Sequence, residues 1–91
     1  MPVEVRVTAM LQRLVGGVKV IQGEGATVAE VLDYLDHEHP GFKSQVLGED
    51  GQLHRFVNIY KNDEDIRYLN NLNTSIEAGD TVSILPALAG G

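Results

Sequence analysis

The chain opens on a strict alternation. In Val3-Glu4-Val5-Arg6-Val7-Thr8 the valines fall on one side and Glu4, Arg6 and Thr8 on the other, the period of two that marks a strand with one buried face. Gly16-Gly17 is a turn signal, and Val18-Lys19-Val20-Ile21 reads as the hairpin partner, broken by Gly23-Glu24-Gly25. The period then changes. Val28, Val31, Leu32 and Leu35 recur at helical spacing behind Thr27, with Glu30 three residues past that capping threonine. Pro40-Gly41 should end the helix. Residues 42–53 show little periodicity and read as a loop with its tip at Gly48-Glu49-Asp50-Gly51. Phe56-Val57-Asn58-Ile59-Tyr60 is the next strand, turning near Asn62-Asp63-Glu64 into the short segment Asp65-Ile66-Arg67-Tyr68. Residues 70–76 suit a loop or short helical turn. Glu77-Ala78-Gly79-Asp80 is a tight turn into the last strand, Thr81-Val82-Ser83-Ile84-Leu85, where Pro86 ends regular pairing.

The order hairpin, helix, two short strands, final strand predicts an α+β fold: a mixed sheet of four to five strands with one main helix packed on one face. First and last strands side by side at the centre would be parallel, with the helix in the crossover. Residues 1–86 are expected to form one domain. Residues 87–91 should project as a flexible tail, reaching about 16 Å at about 3.3 Å per residue. Parity then assigns the sheet's outer face. If Val57 and Ile59 join the valines against the helix, Phe56, Asn58 and Tyr60 face outward with Thr81, Ser83, Leu85, Glu4, Arg6 and Thr8. Two aromatics and a leucine near the tail predict an exposed docking patch. The competing arrangement covers Phe56 and Tyr60 with residues 42–53.

Composition narrows the chemistry. Ninety-one residues, 43% hydrophobic and 22% charged, suit one globular domain. Thirteen acidic against seven basic residues give a net charge of −6, which argues against nucleic acid and predicts a partner with a basic docking surface. No apolar run approaches the roughly 20 residues of a membrane span, and Met1-Pro2-Val3-Glu4 lacks a secretory pattern. A cytoplasmic protein without membrane contact is expected. Cysteine is absent, which excludes disulfides, thiolate metal sites, thiol nucleophiles and carriage of sulfur as a persulfide. The natural attachment point for a reactive group is then the carboxyl of Gly91, behind Gly90. Two residues without side chains pass a slot too narrow for any other dipeptide. An ionised α-carboxylate is a poor electrophile, so another protein must activate it.

Other constellations point to ordinary surface. Asp33 and His37 are four apart, but His37 and His39 fall on different sides of a helix and no further ligand completes a metal site. Asn62-Asp63-Glu64-Asp65 lacks the length, central glycine and final glutamate of a calcium loop. His54-Arg55 offers a contact for an anion or a partner's acidic residue, or is plain surface. No catalytic triad, P-loop or dinucleotide fingerprint is present. No active site, metal or bound cofactor is expected.

Two stretches carry a resemblance that extends over the whole chain. The ending Val82-Ser83-Ile84-Leu85-Pro86-Ala87-Leu88-Ala89-Gly90-Gly91, and Leu53-His54-Arg55-Phe56-Val57-Asn58-Ile59-Tyr60 with Asn62-Asp63-Glu64-Asp65-Ile66-Arg67, resemble the ubiquitin-like β-grasp sulfur carriers of the ThiS and MoaD type. The second stretch is most similar to carriers that deliver sulfide for cysteine biosynthesis. The resemblance implies a carrier and not an enzyme. An E1-like adenylating and sulfurtransferase enzyme would use ATP to adenylate Gly91, and a sulfur donor would displace AMP to leave a thiocarboxylate. The implied acceptor is a PLP-dependent enzyme of the cysteine synthase type, with a metalloprotease releasing the product. Phe56, Tyr60, Leu85 and Arg55 would dock the partners, and Gly90 would thread the slot. The same resemblance admits the small subunit of molybdopterin synthase, paired with its large subunit, and a protein modifier joined through Gly91 to lysines. A passive interaction module with incidental glycines is the remaining reading.

Overall fold

A computed structural model describes residues 2–8 and 10–86. Five strands form one sheet: β1 (Pro2–Val7), β2 (Val20–Glu24), β3 (Val57–Lys61), β4 (Glu64–Asp65) and β5 (Thr81–Pro86). Their spatial order is β2-β1-β5-β3-β4. β1 and β5 are central and parallel, and the other pairs are antiparallel. The alternation read in β1 is the alternation observed: Val3, Val5 and Val7 are buried, while Glu4 and Arg6 are exposed.

The main helix, α2 (Val28–Glu38), lies in the crossover and buries Val28, Val31, Leu32 and Leu35. Its start follows from the capping residues. Thr27 Oγ1 accepts the Glu30 N–H at 3.2 Å, and Glu30 Oε1 accepts the Ala26 N–H at 3.0 Å, so two donors at the helix start are satisfied reciprocally. The helical stripe meets Val5, Val7, Ile59, Val82 and Ile84 in one core.

Four expectations need correction. The second strand does not stop at Gly23 but runs from Val20 through Glu24. Gly23 is buried there because the sheet and α2 approach closely: a Cβ on it would stand 2.9 Å from Val5 Cγ2 and 3.0 Å from Val31 Cγ1. Between β1 and the Gly16-Gly17 turn lies a helix the sequence did not announce, α1 (Met10–Leu14). Its Leu11, and Val15 just past it, are buried at a spacing of four. Part of the expected loop after Pro40 is a third helix, α3 (Phe42–Val46), whose Phe42 and Val46 are fully buried, again four apart. Short helices of this size are fixed by burial of one or two side chains, not by propensity. The segment after Asn62-Asp63 pairs only through Glu64 and Asp65 before closing into a 3-10 turn over Ile66–Tyr68. Asn62 and Asp63 both take positive φ, 49° and 71°, the backbone of the tightest hairpin turns.

Candidate functional site

The sheet's outer face is set by strand register. One row crosses all five strands: Val20 opposite Arg6, Arg6 beside Ser83, Ser83 opposite Tyr60, and Tyr60 opposite Asp65. Toward the end of β5 the next outward pair is Leu85 with Asn58. On this face Leu85 lines an open groove of about 690 Å³ with Arg6, Thr8, Lys19, Val20 and Ser83. Val20 is 49% exposed, which adds an apolar side chain to the face that the sequence reading left out.

Among the residues read as docking groups, Tyr60 and Leu85 are partly buried and share the outer face on adjacent strands. Phe56 stands one residue ahead of β3 and is 53% exposed, so residues 42–53 do not cover it. Arg55 is exposed, its guanidinium carbon 5.3 Å from the centre of the Phe56 ring, an arrangement favoured by the ring's negative face. His54 shapes this corner. Its Nδ1 accepts the Phe56 N–H at 3.2 Å, and the two rings lie 5.6 Å apart. Gly90 and Gly91 lie outside the described residues, as does the whole tail from Ala87.

The aromatics do not form one continuous patch. Asn58 sits between Phe56 and Tyr60 along β3, and the Arg67 guanidinium is laid against it: Nη1 donates to Asn58 Oδ1 at 2.6 Å and Nη2 to the Val57 carbonyl at 2.9 Å. Arg67 also faces Asp65 at 3.6 Å. Nothing in the sequence pattern marked Arg67, because its partners depend on where the two-residue strand β4 stops. Arg6 is likewise engaged, its Nε donating to Glu4 at 2.8 Å across the surface of β1.

The charge reading also changes. Residues 24–50 hold seven acidic side chains and one lysine, and the remainder of the chain holds six acidic and six basic ones. The whole net charge therefore belongs to the segment built around α2 and α3. Its helices cover the face of the sheet opposite to Tyr60 and Leu85. The outer face has carboxylates of its own: Glu4 and Asp63 line the groove with Arg6 and Lys19, and Glu24 shares the exposed side of β2 with Val20. Within the acidic segment, Lys43 of α3 donates to Asp33 of α2, and that carboxylate holds the Lys43 ammonium above the usual lysine range. His37 is exposed beside Glu38. No group of three or more possible metal ligands exists among the described residues, and no helix among them is long and apolar enough to cross a membrane.

Comparison with known proteins fits this architecture. The profile of the ThiS family matches residues 5–91. The chain is 42% identical over 93 aligned positions to sulfur carrier protein CysO of Mycobacterium tuberculosis, covering 100% of both. It is 33% identical over 93 positions to small archaeal modifier protein 3 of Haloferax volcanii, again covering 100% of both. Among solved structures, a chain in the crystal structure of the Amycolatopsis orientalis BexX/CysO complex superimposes with a TM-score of 0.89. That match has 43% identity and covers 98% of this chain and 99% of that one. The fold is the ubiquitin-like β-grasp that the resemblance implied.

Proposed function

This chain belongs to the ThiS family, and on that footing we propose that it is a sulfur carrier loaded at the Gly91 carboxylate and serving cysteine biosynthesis. In the loading step the carboxylate attacks the α-phosphorus of ATP, and pyrophosphate leaves. The resulting acyl adenylate has AMP as a good leaving group. A sulfide donor then attacks the acyl carbon, AMP departs with the electron pair, and a thiocarboxylate remains. An E1-like enzyme supplies both reactions, because no described residue of this chain forms a catalytic group. The sulfur then travels on a short tether. Its effective concentration at a docked acceptor exceeds anything free sulfide could reach.

The observation that carries this reading is the full-length identity of 42% to a protein named as a sulfur carrier. The fold agrees with it. β5 is flanked by β1 and β3 and leads directly toward Gly90-Gly91, so the tether is mounted on the middle of the sheet. Tyr60, Leu85, Phe56 and Arg55 supply the docking contacts. The acceptor is a PLP-dependent enzyme of the cysteine synthase type.

Intact-mass analysis of the protein from its own host tests this. The loaded carrier gains about 16 Da over the free acid, as sulfur replaces oxygen, and alkylation of the new thiol separates that gain from methionine oxidation. A host unable to make the adenylating enzyme should yield only the free acid. Sulfide delivery that survives deletion of Gly90-Gly91 would overturn the proposal. The likeness to small archaeal modifier protein 3 supports a second reading, in which the same activated carboxyl is joined to lysines. That reading predicts higher-mass conjugates in lysate.

A further inference from the structure

We infer that the end of the sheet from which the tail departs is a cationic collar, and that it fits a partner whose tail-accepting slot is rimmed with carboxylates. This deepens the sulfur-carrier reading and rests on its docking face. The argument is one of placement. β5 finishes at Pro86, opposite Val57 on β3 and two residues past the Val7–Ile84 pairing with β1. Three segments meet the sheet at this end. They are α1 after β1, the turn before β2, whose Lys19 carbonyl accepts the Val7 N–H at 2.9 Å, and the corner before β3.

Each segment carries one exposed cation: Arg13, Lys19 and Arg55. Among the described residues none of these three is in an ion pair, whereas Arg6, Lys43, Lys61 and Arg67 each have a carboxylate within 4.0 Å. Of the acidic groups outside residues 24–50, Glu4 and Asp63 line the same groove as Lys19, but toward the start of β5. Glu4 pairs with Thr81 there, Asp63 follows Asn62, whose N–H donates to the Thr81 carbonyl, Asp80 directly precedes that strand, and Asp65 lies level with Ser83. Glu49 and Asp50 border the same hollow as Arg55 without forming an ion pair with it; the Asp50 carboxylate accepts the Gln52 N–H at 3.0 Å and keeps its charge.

Unpaired cations on one end of a molecule whose other surfaces are neutral or acidic give it an oriented field. That field would turn the tail end toward negative charge and away from a basic surface. Arg55 adds a shape requirement. Stacked on Phe56, its guanidinium and ring together suit an apolar recess with a carboxylate at its lip.

The probe is BexX of Amycolatopsis orientalis, the protein crystallised with CysO of that organism, and the readout is its dissociation constant at two salt concentrations. Lys19→Gln and Arg55→Gln each remove one positive charge from the collar. Asn73→Asp, exposed just ahead of Thr74, whose carbonyl accepts the Val28 N–H at the start of α2, changes net charge by the same amount at the other end of the molecule. The double variant K19Q/R55Q is expected to bind about tenfold more weakly at low salt and to show a flatter salt dependence, with N73D unchanged. Equal effects of all three substitutions, or none from the collar pair, would overturn the collar. Tyr60→Ala separates the two ideas. If Y60A weakens binding and the collar variants do not, the docking face stands and the collar falls. If Y60A is also silent, the docking face itself is wrong. Should BexX not bind the wild-type chain, a hexaglutamate peptide titrated at low salt decides. Amide shifts must then concentrate at Arg13, Lys19 and Arg55, and shifts spread evenly over all lysines and arginines would refute the idea.

Discussion

Arg67 reaches back ten residues to donate through Nη2 to the main-chain carbonyl of Val57, at 2.9 Å. The contact closes a gap in the sheet. β4 pairs with β3 only at Tyr60 and Lys61, so the first part of β3 has no strand on the side away from β5. A side chain takes that place, and a charged donor on a partly buried carbonyl makes one of the stronger hydrogen bonds available. Arg67→Ala should cost about 1–2 kcal/mol in urea unfolding. Arg67→Lys should recover less than half, because one ammonium cannot serve Val57 and Asn58 in a fixed fork.

Gly23 lets β2 pass close under α2. Adding a methyl group would require Val5 and Val31 to move, since the new carbon would lie 2.9 Å and 3.0 Å from their side chains. Gly23→Ala is expected to lower stability by about 1–3 kcal/mol, the usual range for overpacking a filled core. Thermal unfolding followed by circular dichroism would register it. Gly23→Ala with Val31→Ala should recover part of the loss, because the second change vacates the contested space.

Asp80 gives the fold a dependence on pH. Its carboxylate accepts the Glu77 N–H at 2.8 Å and the Asn62 amide at 3.0 Å, with Lys61 at 3.8 Å. The Glu77 main-chain bond first, and the Asn62 amide second, hold it below the usual carboxylate range. A group depressed on folding contributes stability that is complete above its unfolded pKa, about 3.9, and is lost as pH falls through the lower folded value. Wild type should therefore lose stability more steeply than Asp80→Asn as pH falls below about 4. Parallel curves for the two proteins would remove Asp80 as a cause.

Thr8 has a shielded hydroxyl without a hydrogen-bond partner among the described residues. Replacing it with the isosteric Val removes that unmet polar atom. Thr8→Val should leave stability unchanged or raise it by up to about 1 kcal/mol. A fall of similar size would show that the hydroxyl has a partner, such as a bound water.

Where hydrophobic periodicity persisted over a whole element, the sequence alone located it. The valines of β1 and the Val28-Val31-Leu32-Leu35 stripe were read correctly, and so was the Thr27–Glu30 cap, because each repeats one physical signal several times. The short helices failed that test. Among the described side chains, α1 and α3 each bury only one or two, such as Phe42 and Val46, and a pair of apolar residues four apart is too little signal to separate helix from loop. Gly23 misled for a different reason. A glycine inside a strand looks like a break until the helix that crowds it is in view. On the outer face, parity was enough to place Tyr60 and Leu85 together. The polar bridge of Arg67 over Asn58 could not be read, since it depends on the point where β4 gives out.

β5 runs between two hydrogen-bonded neighbours, parallel to one and antiparallel to the other. A load applied beyond Pro86 along the strand axis would pull it in shear. All its bonds to β1 and β3 would then share the force at once, and none could be peeled open singly. The mount resists tugging best in the very direction along which an enzyme would draw the chain into a tunnel, and a partner can hold that end taut without unravelling the domain behind it.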